Sequence, residues 1–296
     1  MALIWLMGNI GAILTCIVFY QPAFCKSPCA MYFLASSFAQ FFTYNFALFI
    51  RMLQYGYNVN IANNLLWFCK LRYYLFYICT ANSRYNIIMA SIDRYFASSR
   101  NARRRQWSSS KVAYRIIISM VIFWCIIYIQ VFIFYRIEDQ VCRYQNGAYA
   151  TYFSIYISID SGLLPILLML IFGLLTVRNI HETKRRVVPA TERNNDRSCE
   201  NNKLSRKDAQ LYKMLANQII IFVIFNFPNP CFLLYQSSTM YIVKSTLHAT
   251  IEVFVSNMTY VLIYLGFSLT FINFALSSEI FRRELRRLVR TNILRR

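Results

Sequence analysis

The sequence predicts an all-α membrane protein: a seven-transmembrane helix bundle followed by a short amphipathic helix at the membrane interface. Three observations predict it. The 296 residues are 57% hydrophobic and only 15% charged, with a mean hydropathy of +0.38. Soluble domains carry about a quarter charged residues, and one soluble core of this length cannot hide so much apolar surface. The apolar residues also form long continuous runs rather than the alternation over about 10 residues of barrel strands. Finally, the net charge of +20 is gathered in blocks between those runs, which points to a lipid bilayer and away from nucleic acid.

A helix needs about 20 residues to cross a hydrocarbon core of about 30 Å. Seven stretches qualify: 2–20, 31–52, 67–97, 113–135, 149–177, 211–236 and 247–274. The first begins at Met1 without a basic n-region. Gly8 and Asn9 lie mid-run and no A-x-A-like site follows, so it is expected to be a span rather than a signal peptide. The third and sixth carry enough polar residues to face a bundle interior. No internal repeat is visible, which argues against the repeat-built transporters.

Lys and Arg in the loops set the orientation. Residues 21–29 carry one, 98–111 five, 178–213 ten and 279–296 seven. The alternate loops 53–66, 136–148 and 237–246 carry none, two and one. The expectation is an N-terminus outside, a cytosolic C-terminus and a plasma-membrane location. Four cysteines (Cys16, Cys79, Cys125, Cys231) lie within spans and three (Cys25, Cys29, Cys199) on the reducing side. Cys69 and Cys142 remain on the oxidising side, where a disulfide would pin loop 136–148 across the bundle mouth. Two free thiols are the alternative.

Span 3 ends in Asp93-Arg94-Tyr95 ahead of a basic loop. Arg94 lies 25 residues after Cys69, about 37 Å along a helix, so the two mark opposite membrane faces. An acid beside an arginine there could be a plain topology anchor. In order along the chain, however, stand Asn9, Cys69 with Cys142, Asp93-Arg94-Tyr95, Trp124, Pro165, Phe222 with Pro228, and Phe281-Arg282-Arg283-Glu284-Leu285. Over essentially its whole length the chain therefore resembles the rhodopsin-like (class A) G-protein-coupled receptors, most in type the invertebrate peptide-receptor-like members. The resemblance implies a single receptor domain over 1–296, an extracellular ligand, a heterotrimeric G protein as partner and no cofactor. It also implies a switch in which span 6 moves away from span 3 and frees Arg94.

The chain departs from the family pattern at three places. Gln40 stands where span 2 carries a sodium-binding aspartate. Asn226 replaces the span 6 tryptophan, and Thr270-Phe271-Ile272-Asn273-Phe274 replaces Asn-Pro-x-x-Tyr.

The family pattern gives further residues their expected roles. Asp208, 20 residues before Pro228, matches the acid that holds the span 3 arginine at rest. Its alternative is a solvated acid, one of five acids among ten bases in 178–213. The ligand cavity would draw on Arg72, Phe76 and Thr80, which share one face of span 3, and on Tyr260, Tyr264 and Glu252 of span 7. Phe76 occupies the place of the amine-binding aspartate, so a peptide or other larger ligand is expected, with Arg72 facing an acidic group. In a chain with 22 Tyr and 25 Phe, interhelical packing is the competing reading for each aromatic.

Arg84 and Asp160 fall at comparable depth in spans 3 and 5, where a lone charge costs at least about 3 kcal/mol. They are expected to pair; the alternative is separate bonding to Asn82 or Asn86 and to Ser158 or Ser161. Residues 278–291 read as an interfacial helix N-capped by Ser278, with Ile280, Phe281, Leu285, Leu288 and Val289 on one side and arginines on the other.

Enzyme classes lack their parts. His181 and His248 lie far apart, and there is no HExxH, P-loop or GxSxG pattern; no metal site is expected. The competing functions are a receptor-like protein without G-protein coupling and a channel or transporter. The latter would need a continuous polar path that spans 1, 4 and 7 do not supply.

Overall fold

A computed structural model describes residues 1–25, 27–57, 59, 61–99, 101–138, 141–145, 147–186, 195–239, 242 and 244–294; the side chains of 61–62, 180–186, 195–208 and 291–294 lie outside the description. Six helices are long and apolar enough to cross a membrane: α1 (Ala2–Phe19), α2 (Pro28–Gly56), α4 (Ser110–Phe134), α5 (Ala148–Asn179), α6 (Ala209–Ser238) and α7 (Thr246–Ser277). The seventh, α3 (Leu66–Ser98), is as long but more polar, and the polar residues that set it apart are buried: Asn82, Ser83, Arg84, Asn86, Ser91, Asp93 and Arg94. The fold is a seven-helix bundle in which α3 is the central post. It packs on α2, α4 and α5, while α1 packs on α2 and α7. A final helix, α8 (Glu279–Leu294), follows.

Packing follows from the solvent. Lipid tails are as apolar as leucine, so helices gain little by burying large aliphatic side chains against each other. In α4 only Ala113 and Trp124 of Ser110–Ile127 are buried, and Ile118, Ile122, Ile126 and Ile133 point outward. Contact is made instead by small residues. A Cβ on Gly8 would come within 2.5 Å of the Tyr44 ring and one on Gly11 within 2.8 Å of Phe271, so α1 lies close on α2 and α7. Aromatic rings close the triplet end: Phe19 meets Phe33, Phe274 and Phe281 at 5.7, 5.4 and 5.5 Å. Phe281 thereby anchors α8 to the bundle. Ser278 caps that helix as the sequence implies, its hydroxyl accepting from the Phe281 N–H at 3.1 Å.

Two wide π-type turns interrupt the spans, Tyr44–Leu48 in α2 and Ile159–Leu163 in α5. Each inserts a residue into the helical register. The consecutive residues Asp160, Ser161 and Gly162 of the second turn are all buried. A short antiparallel hairpin, β1 (Tyr135–Glu138) and β2 (Val141–Tyr144), crosses the other end with Ile137 opposite Cys142. The disulfide Cys69–Cys142, with Cα atoms 5.8 Å apart, ties this hairpin to the start of α3.

At the centre, Arg84 Nη2 lies 3.1 Å from Asp160 Oδ2. Asp160 also accepts hydroxyl hydrogen bonds from Tyr85 and Tyr128, both at 2.7 Å. One carboxylate therefore joins α3, α4 and α5. Of the alternative partners, Asn82 and Asn86 donate to the carbonyls of Ile78 and Asn82 and Ser158 to the carbonyl of Ser154, while Asn82 Oδ1, Asn86 Oδ1 and Ser161 Oγ are buried without a hydrogen-bond partner; the ion pair is formed instead. Removing one member strands a charge, whereas removing both does not. Arg84→Leu and Asp160→Leu should each lower the thermal stability of the detergent-solubilised protein by about 3–5 kcal/mol. Asp160→Leu should be the worse, since it also orphans two tyrosine hydroxyls, and the double variant should recover much of the loss. Strictly additive losses in this cycle would remove the pair as a coupled unit.

The same region yields a packing prediction. A Cβ on Gly162 would sit 2.2 Å from Cγ of Pro230 in α6, and a proline ring has little freedom to yield. Gly162→Ala should destabilise by about 1–3 kcal/mol, read from the same thermal denaturation; an unchanged midpoint would mean that α5 and α6 are not in close contact there.

Candidate functional site

The disulfide end holds a cavity of about 90 Å³ between α3, α5, α6 and α7. Phe76, Thr80 and Tyr260 line it, with Arg84 among its walls and Asn229 and Gln236 contributed by α6. Two walling polar atoms, Arg84 Nε and Ser161 Oγ, are buried without a hydrogen-bond partner. No carboxylate belongs to the wall among the described residues. The Asp160 carboxylate is taken up by Arg84, Tyr85 and Tyr128.

The structure divides the expected cavity residues. Arg72 and Tyr264 line a second, narrower recess of about 10 Å³, which shares Phe76 and Tyr260 with the larger one. Glu252 belongs to neither wall. Its carboxylate takes Lys244 Nζ at 2.6 Å and lies 3.5 Å from His248 Nε2, so it ties the loop between α6 and α7 to the start of α7. A glutamate one turn after a histidine and eight residues from a lysine was the signal for this role.

At the opposite end, Asp93 and Arg94 are both buried. Arg94 donates through Nη2 and Nε to Asp93 Oδ2 at 2.8 and 3.2 Å, and the Ser108 hydroxyl donates to Asp93 Oδ1 at 2.6 Å. Tyr95 accepts from Arg104 at 3.1 Å and packs its ring 5.7 Å from Phe172 of α5. Phe222 is fully buried in α6. Pro228 starts the second half of that helix, after the break at Phe227. The Asp208 side chain lies outside the described residues.

Sequence reasoning missed the contacts that hold α6 at this end. Gln210 Oε1 accepts the Ser278 hydroxyl at 2.8 Å and the Ile280 N–H at 2.9 Å. Asn217 donates to the Ser277 hydroxyl at 2.8 Å, and Gln218 to the Thr270 hydroxyl at 3.1 Å. Asn273 donates to Gln218 Oε1 and to the Met214 carbonyl, both at 3.0 Å. Three side-chain amides of α6 thus form a ladder against α7 and α8. Their spacing is its signal: Gln210 with Asn217, and Thr270, Asn273 and Ser277, each share a helix face. In the bundle middle, Gln40 donates to the hydroxyls of Ser83 at 3.1 Å and Ser36 at 3.4 Å. Neutral groups fill that place.

A search of curated proteins finds no match to the chain. The model of the 7 transmembrane receptor (rhodopsin family) matches residues 8–273, which takes in every span, the disulfide and the triplet. The chain belongs to the rhodopsin family of seven-transmembrane receptors, multi-pass proteins of the plasma membrane.

Proposed function

We propose that this G-protein-coupled receptor turns its disulfide end outward, takes a peptide or other non-amine ligand there, and signals by an α6 movement that frees Arg94 for a heterotrimeric G protein. The observation that carries the reading is the separation of two sites along α3. A cavity with no wall carboxylate among the described residues lies near one end, and Arg94, buried beside Asp93, lies at the other. A cationic amine would find Arg84 and no acid, whereas the polar groups and rings of the wall suit a peptide's side chains and amides. The excess of Lys and Arg in loops on the triplet side supports a cytosolic placement of that end.

In this reading the resting state is held twice. The family pattern assigns Asp208 to Arg94 as its resting partner, and the α6 amides hold α7 and α8. An agonist shifts the balance only by binding the moved state more tightly. The second reading, a receptor-like protein that binds ligand without G-protein coupling, draws on Asn226 and the Thr270–Phe274 segment. The ladder bonds α6 to α7 through Asn273 in a chain without the Asn-Pro-x-x-Tyr pattern.

The test is a screen of peptide pools on cells expressing the chain, with G-protein activation as readout, followed by two variants. Arg94→Ala should abolish coupling and leave ligand binding intact. Asp208→Ala should raise ligand-independent signalling by roughly fivefold or more, the scale of a coupling energy of 1–3 kcal/mol. Normal signalling by Arg94→Ala would overturn the switch. Binding without any G-protein response would favour the second reading.

A further inference from the structure

Arg51 of α2 and Arg72 of α3 are 9% and 7% exposed, and both line the narrow recess beside the main cavity. Arg51 donates through Nη2 to Asn257 and lies 4.3 Å over the Tyr260 ring. Arg72 donates to Gln54 Oε1 at 2.9 Å and lies 5.5 Å from the Tyr73 ring. Every one of these partners is neutral. Among the described residues neither guanidinium has a carboxylate partner. The described acids near this end are engaged elsewhere, Glu252 with Lys244 and Glu138 with Arg143. Arg51 Nε is buried with no hydrogen-bond partner at all.

Two desolvated like charges with no counter-charge among the described residues are a costly arrangement. Aromatic faces and amides offset part of the cost. The remainder is relieved by an anion between the two forks, and a guanidinium matches a carboxylate through paired N–H groups. The recess has room for about one water-sized group, which is one oxygen of a carboxylate rather than the whole group. Its wall is continuous with the main cavity through Phe76 and Tyr260.

We propose that the recess is a carboxylate subsite: an acidic group of the ligand seats between Arg51 and Arg72, and the apolar or aromatic side chain beside it fills the main cavity. This rests on the reading that the disulfide end takes the ligand. A peptide C-terminus and an acidic side chain share the required chemistry, and the probes below distinguish them.

The experiment measures thermal unfolding of the detergent-purified full chain with four probes: N-acetylphenylalanine, its primary amide, N-acetylglutamic acid α-amide and sodium acetate. N-acetylphenylalanine should stabilise saturably by a few degrees, and its amide should not. A matching response to the glutamic acid derivative would assign the subsite to side-chain carboxylates as well, and to sodium acetate would show that the anion alone suffices. Arg51→Gln and Arg72→Gln should each weaken the response by roughly tenfold or more, while Arg136→Gln, at an exposed position of the hairpin, should not. Gln54→Glu guards against variants that fail to fold. It supplies the absent counter-charge beside Arg72, so it should raise the unfolding midpoint without probe and abolish the response to the acid.

Equal stabilisation by acid and amide, no stabilisation by any carboxylate, or an undiminished response in Gln54→Glu would overturn the subsite. This readout requires no signalling. A chain that binds the acid but activates no G protein would overturn the coupling alone. Peptides that signal equally as C-terminal acids and amides, with no carboxylate probe binding, would overturn the subsite alone.

Discussion

In a bilayer each helix satisfies its own backbone and its leucines are already at home in lipid, so the arrangement of the bundle depends on where polar side chains find one another. Asp160 is the clearest case. Three donors from two helices converge on its carboxylate, which is buried within the wide turn at Ile159–Leu163. With Asp160 fixed, Arg84 is fixed, and with it one wall of the main cavity. The depth of the ligand site follows from an ion pair that no ligand needs to touch. Such a pair is not strongly stabilising against well-packed apolar replacements; its effect is to fix which residues of α3 and α5 lie level.

The same rule governs α6 and α2 with neutral groups. The α6 amides meet hydroxyls, amides and backbone atoms of α7 and α8, and Gln40 bridges Ser36 and Ser83 between α2 and α3. Neutral hydrogen bonds are individually worth about 1 kcal/mol, so a ladder of them can be exchanged rung by rung. The Arg84–Asp160 pair fixes one level of the bundle's middle, and the exchangeable amide contacts of α6 lie at the end that carries the Asp93–Arg94 pair.

Much of this was legible in the sequence. The seven spans could be read because apolar run length is a one-dimensional property, and the helices begin and end within a few residues of the expected positions. The triplet, the disulfide cysteines and the Arg84–Asp160 level could be read because helical rise converts residue number into depth. What could not be read was azimuth, the direction in which each side chain leaves its helix. The wide turns in α2 and α5 shift the register at Tyr44–Leu48 and Ile159–Leu163, and the length of an apolar run does not register such a shift. Tyr85 and Tyr128 join Asp160 from directions that spacing does not give. Glu252 was placed at the right depth but turns to Lys244. Arg51 was passed over because the charge tally counted loops; its position five residues before the end of a helix running to Gly56, on the side poor in basic residues, was the available signal.

The centre of the bundle also has a history. Asp160 follows Arg84 by 76 residues, and chains are made at about 5–20 residues per second. For roughly 4–15 s at that pace, α3 exists with its arginine and without the carboxylate that will receive it. Tyr128 is made within that interval and Asp160 at its end. The first four spans cannot reach their final arrangement one at a time on leaving the ribosome; α3 stays in a wet or protein-lined setting until α5 is complete. The pairing of α3 with α5 at this level therefore cannot precede the synthesis of a single aspartate.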